Sequence, residues 1–292
     1  MMIKSFIVAA FLGYAAIVHN NFTHPDAYYI SPADAVISGA EPVVDLTSRV
    51  EVTCSPMSPG TAVIVVVGQS LSVNSVPTAY TPAQNNVDQL NIYDGKCYKA
   101  QDPLLGINVS GAPVTAKRGT WMARLADNLV AHGRFDRVII VPMGVGATTV
   151  DQWASDSTAP YLKNKINAVA LRMAQAQIPC TAIMWGQGES DTGAGTSQAS
   201  YAASLHTVIA EFQRAIPACP MLIARESYYY GSTSSGVVAA QASVVNGTTV
   251  FAGEDVDSIP PAGRYDNTHL NEVGAAMRAD LAETAILKAL GL

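Results

Sequence analysis

Three places in this chain bring together residue types that can do chemistry. The run Ala62-Val63-Ile64-Val65-Val66-Val67 leads into Gly68-Gln69-Ser70. A glycine lets the chain turn sharply after a strand and leaves the next polar side chain exposed at the sheet edge, where a nucleophilic serine belongs. The G-x-S-x-G elbow of α/β-hydrolases is incomplete, since Ser72 stands at its last glycine position. Near the C-terminus, Asp266-Asn267-Thr268-His269 places a carboxylate three residues before an imidazole. One turn can then let Asp266 orient His269 while the other ring nitrogen faces a nucleophile. Each match has a plainer alternative: serines commonly cap helices after strands, and aspartates commonly cap turns.

Two further segments offer donors for a developing oxyanion. Pro142-Met143-Gly144-Val145-Gly146-Ala147-Thr148-Thr149 follows an apolar run, and glycines there expose backbone N–H groups. As a dinucleotide loop it fails, because Thr149 takes the third glycine position of G-x-G-x-x-G. Trp185-Gly186-Gln187-Gly188-Glu189-Ser190-Asp191 flanks Gln187 with glycines, so its amide can project toward the same point.

These segments need a scaffold. Apolar runs at 62–67, 137–142, 181–185, 221–224 and 249–252 alternate with helical patterns at 120–132, 160–177, 197–216, 235–246 and 271–290. Trp121, Leu125 and Leu129 fall on one face of the first. Continuous β-branched strands alternating with helices predict one α/β domain over 61–292, a three-layer α/β/α sandwich around a five-stranded parallel sheet in flavodoxin-like order. Ligands bind outside the carboxyl ends of such strands, which is where all the candidate residues fall. Residues 71–118 show no convincing helix or strand, and a structureless stretch of that length is usually functional.

The 292 residues are 49% hydrophobic and 14% charged with a net charge of −6, which excludes intrinsic disorder and an electrostatic nucleic-acid footprint. Met1-Met2-Ile3-Lys4 followed by an uncharged stretch to Val18 has the build of a secretory signal, with a packed apolar N-terminal helix as the alternative; the stretch is short for a membrane span. A loop-rich lead-in, residues 19–60, follows. Four cysteines lack zinc-ligand spacing, and an even count in an exported chain suggests two disulfides. Cys180 and Cys219 each open an apolar run; on neighbouring parallel strands they lie ~5 Å apart, within bridging distance. Cys54 with Cys97 follows by elimination, and four buried free thiols are the alternative.

The ordered set of motifs resembles the SGNH/GDSL hydrolases, and within them the sialate O-acetylesterase-like branch that includes acetylxylan esterases of carbohydrate esterase family 6. The matching pieces are Gly68-Gln69-Ser70, Tyr93-Asp94-Gly95 with Asp102-Pro103-Leu104, Gly119-Thr120-Trp121, Gly146 through Trp153, Trp185 through Asp191, and Asp266 through Leu270. The resemblance implies Ser70 as nucleophile, His269 as base and Asp266 as its orienting acid, with Glu189 as a second candidate acid. It implies an oxyanion hole from the Ser70 and Gly146 N–H groups and the Gln187 side chain. Gln69, Trp185 and Tyr229 are expected to contact the substrate, and the Tyr228-Tyr229-Tyr230 run suits a sugar face.

Three departures from the family pattern stand out: Leu71 for an asparagine, Ala147 for a glycine and Gly186 for a histidine. The expected activity is hydrolysis of O-acetyl or other short acyl esters, on a carbohydrate, by a secreted or periplasmic enzyme needing neither metal nor organic cofactor. The alternatives are a lipid or thioester hydrolase of the same fold, and a non-catalytic secreted carbohydrate-binding protein.

Overall fold

The computed structural model describes residues 42–55, 57–109, 118–155 and 160–292; the apolar leader and residues 19–41 of the lead-in lie outside them. Eight strands follow in chain order: β1 (Glu51–Val52), β2 (Thr61–Gly68), β3 (Val87–Leu90), β4 (Cys97–Lys99), β5 (Arg137–Pro142), β6 (Ala182–Gly186), β7 (Met221–Arg225) and β8 (Val250–Asp255). They form one sheet in the order β1-β4-β3-β5-β2-β6-β7-β8. From β3 to β8 all neighbours run parallel, whereas β4 and β1 close one edge antiparallel. The helices are α1 (Met122–Ala131), α2 (Val150–Ala154), α3 (Pro160–Gln175), α4 (Glu189–Ala194), α5 (Gln198–Ala215), α6 (Ser235–Ser243) and α7 (Glu272–Leu290).

The central strand shows why the sheet is covered on both sides. Val63, Val65 and Val67 of β2 face a core built with Trp153 of α2, Leu162 and Ile166 of α3, Tyr201 and Phe212 of α5, and Val237 of α6. Ala62, Ile64 and Val66 face the opposite core, with Leu125 and Leu129 of α1 and Ala279, Ala282 and Ile286 of α7. A strand buried on both faces carries an unbroken apolar run, because neither side of the pleat meets water.

The five expected strands are all present and neighbour one another as 2-1-3-4-5, but the sheet has eight strands, not five. The three extra ones lie where no regular structure was expected. In β3 the sequence Val87-Asp88-Gln89-Leu90 interrupts the apolar pattern with two polar residues that are nonetheless buried. Asp88 is held there by ion pairs to Arg137 at 2.7 Å and Lys99 at 2.9 Å, and Gln89 Oε1 accepts the Leu105 N–H at 2.9 Å. Paired polar groups tolerate burial, so hydrophobic periodicity passes over such a strand. β1, from the lead-in, pairs with β4, and Cys54–Cys97 bridges the same edge. Cys180–Cys219 links the segments entering β6 and β7, as the strand-entry argument expected.

Candidate active site

The carboxyl ends of β5, β2 and β6 converge. The Gln69 N–H bonds Gly186 O at 3.1 Å, and the Val145 N–H bonds Gly68 O at 2.9 Å. Gly68 and Gly186 are register partners, and a Cβ at Gly68 would fall 1.8 Å from Gly186 O, so only glycine permits this approach. Ser70 opens a single 3-10 turn, Ser70–Ser72, immediately beyond. Ser70, Gly146 and Gln187 therefore come from the ends of three adjacent strands.

Asp266 and His269 lie beyond β8, in the turn that enters α7. His269 Nδ1 is 2.6 Å from Asp266 Oδ2, and Asp266 Oδ1 accepts the backbone N–H groups of His269 at 2.6 Å and Thr268 at 3.1 Å. Partial burial raises the Asp266 pKa, but these bonds outweigh it and hold the carboxyl below its ordinary value. Asp266 is thus a carboxylate across the neutral range and holds the Nδ1 edge of the imidazole. Tyr265 stacks on that ring at 5.9 Å.

Two observations tie the serine turn to the histidine turn. Leu71, which follows Ser70, and Leu270, which follows His269, share one buried cluster with Ala224, Val256 and Ile259. Leu71 O accepts the Trp121 indole N–H at 2.7 Å and Arg278 Nη1 of α7 at 3.4 Å. The first departure from the family pattern therefore has a packing role: an apolar Leu71 staples the two turns. Among the described residues no hydrogen bond joins Ser70 to His269; catalytic bonds of this kind often tighten only when substrate is bound.

The remaining expected site residues divide. The Gly146 N–H points at Asn108 Oδ1, 3.1 Å away. Ala147 takes φ 59°, a left-handed conformation that a glycine would adopt without steric cost. Gln187 is fully buried, and its amide Nε2 lies 2.6 Å from Asp191 Oδ2, 3.0 Å from Thr148 O and 3.0 Å from Gln69 Oε1. Its two amide protons already have protein acceptors, so this arrangement does not present the free donor expected of it. The same bonds orient Gln69, whose Oε1 also accepts the Ser190 N–H at 3.1 Å. The amide nitrogen of Gln69 has no protein acceptor among the described residues.

Trp185 does not reach a substrate. It is wholly buried in the β2–α5 core, edge-on to Trp153 at 5.8 Å. Strand alternation explains the correction: in β6, Trp185 and Ile183 point to one face and Met184 to the other, and neither face is solvated. Tyr229 is partly exposed, in the hairpin that follows β7.

Glu189 belongs to a cluster that sequence reasoning missed. Arg278 Nη2 lies 2.7 Å from Glu226 Oε2 and 3.0 Å from Glu254 Oε1, with its guanidinium 4.3 Å over the Trp121 ring. Glu189 lies buried beside Glu226; its Oε2 accepts the Gly188 N–H at 3.1 Å, and among the described residues it has no hydrogen bond to His269. Burial, and then the Glu226 charge, push the Glu189 carboxyl well above its ordinary range. This cluster also accounts for Gly186: a Cβ there would fall 2.5 Å from Arg278 Nη2 and 2.7 Å from Glu226 Oε2. In this chain the space beside Gly186 is filled by an arginine from α7. The available signal was Arg278 itself, alone among Gly274, Ala275, Ala279 and Ala282 on the apolar stripe of the last helix.

The fold is thus a three-layer α/β sheet that carries a serine turn at its strand ends and a carboxylate-oriented histidine beyond its last strand. A family model described as carbohydrate esterase, sialic acid-specific acetylesterase matches residues 63–286. The chain belongs to this family, whose members are carboxylic ester hydrolases, and the resemblance read from the motifs is borne out. A solved protein from Arabidopsis thaliana has a TM-score of 0.61 at 17% identity, over 78% of this chain and 98% of that one. A carbohydrate acetylesterase from Xanthomonas citri gives 0.53 at 12% identity, over 79% of this chain and 56% of that one. NanS gives 0.53 at 14% identity, over 80% and 98%. At these identities the likeness is one of fold. No curated protein matches the chain.

Proposed function

We propose that the chain removes acetyl groups from O-acetylated carbohydrate through Ser70, His269 and Asp266. The observation that carries this reading is the 2.6 Å bond from His269 Nδ1 to Asp266, on a turn packed through Leu270 against the residue that follows Ser70. With Nδ1–H held by the carboxylate, Nε2 is the basic nitrogen. It takes the Ser70 proton as Oγ attacks the acyl carbonyl, then returns that proton to the leaving sugar oxygen. A water molecule, activated by the same nitrogen, releases acetate from the acyl-enzyme. The Ser70 and Gly146 N–H groups receive the oxyanion, with Gly146 exchanging its Asn108 acceptor for the substrate oxygen. Gln187 supports the site from beneath by fixing Gln69, whose amide N–H2 is left for the substrate.

The two disulfides fit an oxidising compartment, and no helix among the described residues is long and apolar enough to cross a membrane. Export through a leader at residues 1–18 completes the proposal.

The test is acetate release from a panel of O-acetylated glycans, with Ser70→Ala as control. The expected result is release by the wild type and none above background by the variant. Unchanged release by the variant, or a preference for long acyl chains over acetyl, overturns the reading.

A further inference from the structure

Tyr230 stands where neither backbone preference nor burial explains a tyrosine. Residues 229–232 close a tight hairpin beyond β7, with the Tyr229 N–H on Ser232 O at 2.8 Å and the Ser232 N–H on Tyr229 O at 3.1 Å. Its central residues both have positive φ, 44° at Tyr230 and 86° at Gly231. That is the pattern of a type I′ turn, whose first central position favours asparagine, aspartate or glycine. A bulky aromatic there is a genuine outlier. Packing does not compensate, because Tyr230 is 63% exposed, the equal of Val273 among the large apolar side chains most open to solvent.

The hairpin is nevertheless held firmly, and it is held to the histidine turn. The Tyr230 N–H bonds Thr268 Oγ1 at 3.0 Å, one residue before His269, and Tyr228 Oη donates to Asn267 Oδ1 at 3.0 Å. Asp257 accepts the N–H groups of Ser227 and Tyr228 and the Ser227 hydroxyl. The Arg264 guanidinium lies 4.2 Å over the Tyr228 ring. The Tyr229 ring rests against Gly193 of α4 and meets Tyr230 edge-on at 4.5 Å. Two aromatic rings are therefore presented to solvent on a braced support beside the proposed base.

We propose that the Tyr230 ring, backed edge-on by Tyr229, forms a stacking platform for a pyranose ring of the substrate, outside the sugar whose ester is cleaved. Pyranose faces expose C–H groups that pack on an aromatic face, while the phenolic hydroxyls remain free to bond sugar hydroxyls or water. The left-handed backbone at Tyr230 is the cost of presenting that ring there, as strained residues at functional sites often show. The platform names the glycan-side subsite of the esterase proposed above and rests on that reading.

The test uses two separate variants of the full chain, Tyr230→Asn and Tyr229→Ala. Three readouts are compared: binding of unacetylated xylotetraose, chitotetraose, mannotetraose and sialyllactose by calorimetry; the ratio of kcat/KM for an acetylated tetrasaccharide to that for 4-nitrophenyl acetate; and Tm. The expected result is that the wild type binds at least one oligosaccharide and each variant loses about tenfold in that affinity and in the ratio. Tyr230→Asn should at the same time raise Tm by about 2 °C, because Asn-Gly suits the turn. Variants that bind as the wild type does and keep the ratio, or a wild type that binds no oligosaccharide at millimolar concentration, overturn the platform. Should the wild type hydrolyse neither ester, the esterase reading falls and the binding data alone decide the platform.

Discussion

Asp266 and Glu189 are both carboxyls in family motifs, and their surroundings shift their pKa values in opposite directions. Asp266 accepts two backbone N–H groups and the His269 ring N–H, which favour its charged form. Glu189 is buried against another carboxylate and is favoured neutral. Asp266→Asn should therefore lower kcat/KM by about 10²–10⁴-fold, since an amide neither stabilises the imidazolium nor enforces the tautomer. Glu189→Gln should leave kcat/KM within a few-fold, because the carboxylate on the His269 ring is Asp266 and Glu189 has no hydrogen bond to that ring among the described residues. Steady-state kinetics on one acetyl ester settles both, and a larger loss at Glu189 would contradict the assignment. The D-x-x-H pair was readable from spacing alone, because three residues are one turn. The Glu189–Glu226–Arg278–Glu254 cluster was not, because its members come from α4, the end of β7, β8 and α7, and meet only after the sheet is ordered.

The parallel strands announced themselves as apolar runs, and the five long helical patterns match α1, α3, α5, α6 and α7 within a few residues at each end. What escaped were elements stabilised by polar pairing: β3 through Asp88 with Arg137 and Lys99, and β1 through β4 and the Cys54 bridge. Likewise α2 is only five residues, defined by the reciprocal Thr149–Gln152 capping box and by Asp191 accepting the Val150 N–H. On α3, Lys165 is buried, with Nζ 3.4 Å from Gly106 O and no carboxylate partner among the described residues. Burial lowers its pKa to about 7. Between that value and the unfolded value of ~10.4 the unfolded chain binds the extra proton, so this lysine makes stability rise with pH across that window. Lys165→Met should raise Tm, and by more at pH 6 than at pH 9.5. Thermal melts at the two values check the sign, and an equal gain at both would show that the buried cation is not the cause.

Across the whole molecule, the sheet order sets β5, β2 and β6 side by side, so that loops distant in sequence share one edge. That edge was legible, because parallel α/β topology leaves few places for Gly68-Gln69-Ser70 to go; the inward-facing Trp185 was misassigned because a motif does not say which way a strand side chain points. The two disulfides close chain segments of 43 and 39 residues, each worth about 4 kcal/mol on loop entropy. Complete reduction should lower Tm by roughly 10 °C or more, and an unchanged Tm in protein shown by thiol titration to be fully reduced would contradict their structural role. The central claim is that this folding makes Ser70 nucleophilic through His269. Its most direct test is labelling with a fluorophosphonate, followed by mass mapping of the modified peptide. The account predicts one adduct, on Ser70, abolished in Ser70→Ala and slowed by orders of magnitude in His269→Ala. An adduct on another residue, or labelling of Ser70 at the same rate without His269, would contradict it.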